Sequence, residues 1–172
     1  MDSFINTIKT LSRIFGVIAV VLLASGILVV CQQVWIRYVL GASTVWQTDF
    51  VTYSIVAATF IGSPYVLLQR GHVNVDLLPL YLPHKARVVL ALLASVGALA
   101  FCLALAWTSY ELWHEAWVGG WRTATVWSLP LWIPYLPMAV GMILLCLQYI
   151  ADILALVTGR DMPFGLEPGE RP

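Results

Sequence analysis

Charge is what this chain has least of. Only 10% of its 172 residues are charged and 60% are hydrophobic, whereas soluble globular domains run at about 25% charged. The scarcity is also patterned. No charged residue occurs between Arg13 and Arg37, Asp49 and Arg70, Arg87 and Glu111, or Arg122 and Asp152. A soluble domain with a large core is therefore excluded. The middles of these gaps also lack histidine, so the intramembrane ionisable groups of pumps and proton relays are missing. No Gly/Pro break falls at mid-gap, the usual device for a substrate site in secondary transporters.

Other absences narrow the chemistry. Three cysteines, Cys31, Cys102 and Cys146, are an odd number without CxxC spacing, which reads as apolar filler rather than disulfides or metal ligands. Of the three histidines, His72 and His84 fall at one membrane surface and His114 at the other. No pair can face across a bundle to hold haem, and no cofactor is expected. There is no Ser/His/Asp set, phosphate loop or zinc spacing, so an enzyme is not expected. Zero net charge without a Lys/Arg run gives no reason to expect nucleic acid.

What is present is length. Each uncharged gap holds about 20 residues or more, enough for a helix rising 1.5 Å per residue to cross a ~30 Å hydrocarbon layer. The reading is an all-α membrane protein, one membrane domain over residues 1–172. Its four transmembrane helices fall at 14–38, 49–68, 86–110 (continuing helically to about 118) and 134–157. The first run is too long for a signal-peptide core, and Gly26 stands where a lipoprotein would need its cysteine; an uncleaved span is expected. The tail 160–172, polar with prolines and glycines, predicts disorder.

Orientation follows from the short loops. Lys9, Arg13, Arg70, Lys85, Arg87, Arg160 and Arg171 share one side, against Arg37 and Arg122 on the other. That imbalance predicts cytoplasmic N and C termini, with a cytoplasmic hinge carrying a short interfacial segment, broken by Pro79, between helices 2 and 3.

Several residues have local assignments. Gly41 fits the stop of span 1, and Arg37 in its last turn complements the helix dipole. Thr48 or Asp49 is expected to cap span 2, beside the interfacial anchor Trp46. Arg37 and Asp49 flank one short loop and are a candidate pair, contributing about 0–1 kcal/mol. Ser54, Ala58 and Gly62 form a small-residue stripe, and Ala94 and Ala98 a second. Pro64 is expected to kink or end span 2. Beyond span 3, Trp113 and Trp117 share one face at i, i+4 and Glu111 and Glu115 another. These residues, with His114 and Arg122, make a tryptophan-rich outer loop. His72 and Asp76, four apart in the hinge, are placed for a mutual hydrogen bond.

The ordered set Arg37-Tyr38, Trp46 with Asp49 three residues on, Gly62-Ser63-Pro64, Gly71-His72-Val73-x-Val75-Asp76, Leu82-Pro83-x-x-x-Arg87, Leu129-Pro130, Pro134-Tyr135 and Pro137-Met138-Ala139-Val140-Gly141 resembles a known family. This is the small, DctQ-like membrane subunit of tripartite ATP-independent periplasmic (TRAP) transporters. The likeness covers about residues 15–156. One acid, Asp49, stands where that family often carries two. The resemblance implies a non-catalytic subunit in the bacterial inner membrane. Its partners would be a large permease subunit, which carries the sodium-coupled path, and a soluble periplasmic protein, which captures the solute, usually an organic acid. The small subunit would brace the first and help dock the second. It gives Arg37, Trp46, Asp49, Trp113, Trp117 and Trp121 as periplasmic-side partner contacts. Gly62, Pro64, Gly71, His72, Asp76, Pro83, Arg87, Pro130, Pro134, Pro137 and Gly141 become structural motif positions. The alternative from the residues alone is a self-sufficient small homo-oligomeric channel or carrier, or a redox membrane anchor.

Overall fold

The computed structural model describes residues 2–69 and 84–158. Four helices account for nearly all of them: α1 Asp2–Tyr38, α2 Trp46–Leu68, α3 His84–Val118 and α4 Trp132–Val157. All four are long and apolar enough to cross a membrane, and no strand occurs among the described residues. The interfacial segment, the His72–Asp76 pair, Gly71, Pro83 and the tail 160–172 lie outside them.

Helix ends differ from the sequence expectation for physical reasons. α1 starts at Asp2 rather than near residue 14, because Lys9 and Arg13 mark the edge of the apolar layer and not the end of the helix; both are good helix formers. At the other end, Gly41 takes φ +63° and the Ala42 N–H returns to the Ile36 carbonyl at 3.3 Å. α2 starts at Trp46, ahead of Thr48 and Asp49, with no side-chain cap. The Thr48 hydroxyl instead accepts from Gln33 Nε2 at 3.1 Å, as Thr44 does at 3.2 Å, tying α1 to the start of α2.

Pro64 neither ends α2 nor leaves its gap open. The helix continues to Leu68, and the Phe60 carbonyl, which a residue-64 N–H would have served, accepts the Ser63 hydroxyl at 2.8 Å. α4 opens at Trp132, two residues earlier than expected, and so takes Pro134 into its opening turn. Pro is tolerated there because those N–H groups have no helical acceptor.

The helices pack in the order α1, α2, α4, α3, as an open slab. α1 also touches α4, while α3 has extensive packing only with α4 among the described residues. Burial follows this order: 44% of the most apolar window of α4 is buried within the chain, against 11% in α3.

Close approach depends on small residues. Ser54, Ala58 and Gly62 are buried, as their four-residue spacing suggests. A Cβ on Gly62 would lie 3.1 Å from that of Ala19, and one on Gly16 would meet Tyr65 Cγ at 2.5 Å. The second stripe is buried only in part: Ala98 is half-buried and leads one turn on to the buried Cys102. Ala94 is exposed, and the small residues that α3 buries are Ala91, Cys102, Ala106, Ser109 and Ala116. Cys102 and Ala106 pack with Met142, Leu145 and Cys146 of α4.

Candidate functional site

Two constellations stand out, one at each end of the slab, with a packing knot between them. All eight tryptophans (35, 46, 107, 113, 117, 121, 127 and 132) lie toward the end where α1 and α3 finish and α2 and α4 begin. Five of them, Trp46, Trp113, Trp117, Trp127 and Trp132, make aromatic contacts. Trp113 tilts against Trp117 at 5.9 Å between ring centroids, and Trp117 meets Trp132 edge-on at 4.7 Å. This pins the end of α3 to the start of α4. Across the slab, Trp46 packs edge-on to Phe50 at 6.0 Å and reaches Trp127 of the α3–α4 loop at 6.3 Å. Tyr110 stacks on His114 at 6.1 Å.

The α3–α4 loop is a hydrogen-bonded hairpin. Gly120, at φ +59°, makes the turn out of α3. The Thr123 N–H donates to the Leu129 carbonyl at 2.9 Å, and the Leu131 N–H to the Trp121 carbonyl at 2.9 Å. The Leu129 N–H donates to Thr123 Oγ1 at 2.9 Å, and Arg122 bridges to Pro130. Arg122 Nη1 reaches the Ser128 carbonyl at 3.4 Å. Trp121 folds back over Gly119, where an added Cβ would stand 2.5 Å from the indole Nε1. The hairpin tip presents Val126, 87% exposed.

The expected outer contact residues thus share one end, but not one cluster. Trp113, Trp117 and Trp121 surround the close of α3, and Trp46 joins them only through the loop. Arg37 is exposed at the close of α1 and forms no ion pair with Asp49. Asp49 Oδ2 is buried without a hydrogen-bond partner among the described residues, as are Gln47 Oε1 and Trp113 Nε1. The Asp49 carboxylate lies one helical turn before Tyr53 on α2. Its place in the first turn of α2 complements the helix dipole. Glu111, His114 and Glu115 are exposed.

Motif positions from α2 and α4 meet in the slab centre. A Cβ on Gly141 would collide with the Phe60 carbonyl oxygen and stand 2.5 Å from its carbon. Gly141 therefore packs on the stretch of α2 backbone that Gly62-Ser63-Pro64 shapes, and the oxygen it covers is the one Pro64 leaves to Ser63. Pro64 is among the most buried side chains. Pro134 is buried in the opening of α4, with Pro137 inside the helix. Arg87 lies on α3.

At the opposite end is a polar chain the sequence reading missed. The Ser12 hydroxyl of α1 donates to Gln148 Oε1 of α4 at 2.8 Å. Gln148 Nε2 in turn donates to Asp152 Oδ1 at 2.9 Å. Gln148 is fully buried at 0% exposure, and Ser12 is at 2%. The available signal was a lone amide in the apolar run Leu144–Ile150.

Residues 26–159 match the family described as tripartite ATP-independent periplasmic transporters, DctQ component. The chain belongs to the DctQ family. A curated relative is the C4-dicarboxylate TRAP transporter small permease protein DctQ of Vibrio cholerae serotype O1 (strain ATCC 39315 / El Tor Inaba N16961). It is 24% identical over 149 residues, which cover 74% of this chain and 64% of the relative. The chain thus spans less than two thirds of that relative's length. The chain's four helices long and apolar enough to cross a membrane agree with that membership, and the Gly62-Ser63-Pro64 and Pro137–Gly141 motifs both lie inside the matched region.

Proposed function

We propose that this chain is the small, non-catalytic permease subunit of a sodium-coupled TRAP transporter for organic acids, set in the bacterial inner membrane with both termini cytoplasmic. It braces the large permease subunit, and its tryptophan end helps dock the periplasmic substrate-binding protein. The observation that carries this reading is the open slab of a DctQ component. Two outer helices bury little of themselves within the chain, while uncharged spans give a polar solute no path of its own. Such a body suits a brace whose faces are covered by a larger membrane protein. The name of the Vibrio cholerae relative points to C4-dicarboxylates within the organic acids. Arg37, Trp46, Asp49, Trp113, Trp117 and Trp121 are the proposed outer contacts.

The test is uptake in proteoliposomes containing the large permease subunit and the binding protein, with and without this chain. The expected results are sodium-dependent uptake only when the chain is present, its co-purification with the large subunit, and no flux through the chain alone. Uptake that is unchanged without it would falsify the proposal.

A further inference from the structure

The first turns of α1 carry a feature that neither the transport role nor the tryptophan end uses. On one face Ile5, Ile8, Ser12 and Ala19 are buried against the slab. On the opposite face an open depression of about 430 Å³ runs over Asn6, Thr7, Thr10, Leu11 and Ile14. Lys9 and Arg13, one turn apart, lie next to Asn6 around the helix, on the polar side of the depression, and neither forms an ion pair among the described residues. Thr10 donates its hydroxyl proton to the Asn6 carbonyl at 2.9 Å, so its oxygen faces outward as an acceptor.

From these positions we propose that this face of α1 is a binding site for an anionic phospholipid. The phosphate sits between Lys9 and Arg13. The Asn6 amide and the Thr10 hydroxyl oxygen meet polar headgroup atoms, and the acyl chains start down Leu11 and Ile14. The depth agrees: Asn6 to Ile14 is about 12 Å of helix, bridging the headgroup layer and the edge of the hydrocarbon. The neighbouring apolar floor selects a lipid over a free anion, since a soluble phosphate would gain nothing from Leu11 and Ile14. Clustered cations at a membrane face are the usual means of recognising anionic headgroups. The site does not depend on the transporter assembly.

The full-length chain, purified and delipidated in detergent, would be titrated with phosphatidylglycerol or phosphatidylcholine of identical acyl chains, and adducts counted by native mass spectrometry. Retention of phosphatidylglycerol over phosphatidylcholine is expected. Each cation contributes about fivefold, so Lys9→Gln/Arg13→Gln should lower the preference by roughly 25-fold. Phosphatidylcholine adducts should stay constant in that variant, which reports an intact fold. Arg37→Gln, at the other end, should leave the preference unchanged. Equal retention of both lipids by the unaltered chain overturns the proposal, as does an equal loss in Arg37→Gln. Displacement of phosphatidylglycerol by inorganic phosphate would assign the site to a free anion and also overturn it.

Discussion

Two glycines with the same chemistry should respond oppositely to alanine. At Gly141 the new methyl collides with the Phe60 carbonyl, and no flexible side chain is there to give way. The backbones of α2 and α4 must separate, at an overpacking cost of about 1–3 kcal/mol. At Gly97 nothing lies within 4 Å of the added atom, so Gly97→Ala should stabilise by up to about 1 kcal/mol through helix propensity. Thermal or denaturant unfolding of the purified chain in detergent tests the pair; equal shifts would remove the packing argument. Gln148 invites a similar comparison. Its bond to Ser12 joins two helices in apolar surroundings, where such interhelical bonds average about 0.6 kcal/mol and reach about 1.7. A double-mutant cycle of Ser12→Ala and Gln148→Leu should return a coupling in that range. Zero coupling would mean the contact contributes nothing measurable to holding α1 on α4.

Helices and loops show which features the sequence exposed and which it concealed. The Ser54, Ala58 and Gly62 stripe was readable because small residues recur every fourth position among larger ones. In α3 the same spacing held at Ala98, half-buried one turn before the buried Cys102, and failed at Ala94, which is exposed. That helix is apolar all round, several small-residue rows compete, and hydrophobicity alone does not say whether Ala94 or Ala91 faces α4. Charge marked off the four apolar runs, yet it said nothing of helix ends, and α1 extends to Asp2 past Arg13 and Lys9. Gln148, being neutral, escaped a search for ionisable groups. The tryptophan end was legible as tryptophan content but not as contacts, because the hairpin after Gly120 is held by hydrogen bonds between residues whose order carries no periodic signal. The hairpin makes its own prediction. Gly120→Ala places a Cβ in the left-handed region, costing about 1–2 kcal/mol. Amide exchange over 121–131 should accelerate while α4, the most buried helix, stays protected. Acceleration spread evenly through the molecule would show that the hairpin is not a separable unit.

For the whole molecule, the decisive property is sidedness. Seven of nine Lys and Arg fall in the N-terminal tail, the hinge and the C-terminal tail, while every tryptophan lies toward the other end of the slab. Basic residues are held on the cytoplasmic side during insertion, and tryptophan settles at an interface. The proposed orientation puts the hairpin tip outside and the Asn6–Thr10 face inside, a placement on which both the docking role and the leaflet of the lipid site depend. Removing Cys31, Cys102 and Cys146 leaves a background in which one introduced thiol reports its side. Val126→Cys, at a position already 87% exposed, should react with a membrane-impermeant maleimide on intact spheroplasts. Asn6→Cys, exposed on α1, should react only after the membrane is opened. The reverse pattern would turn the slab over and put the tryptophan end where no periplasmic protein could reach it. The DctQ membership would stand, but docking would have to pass to the hinge between α2 and α3.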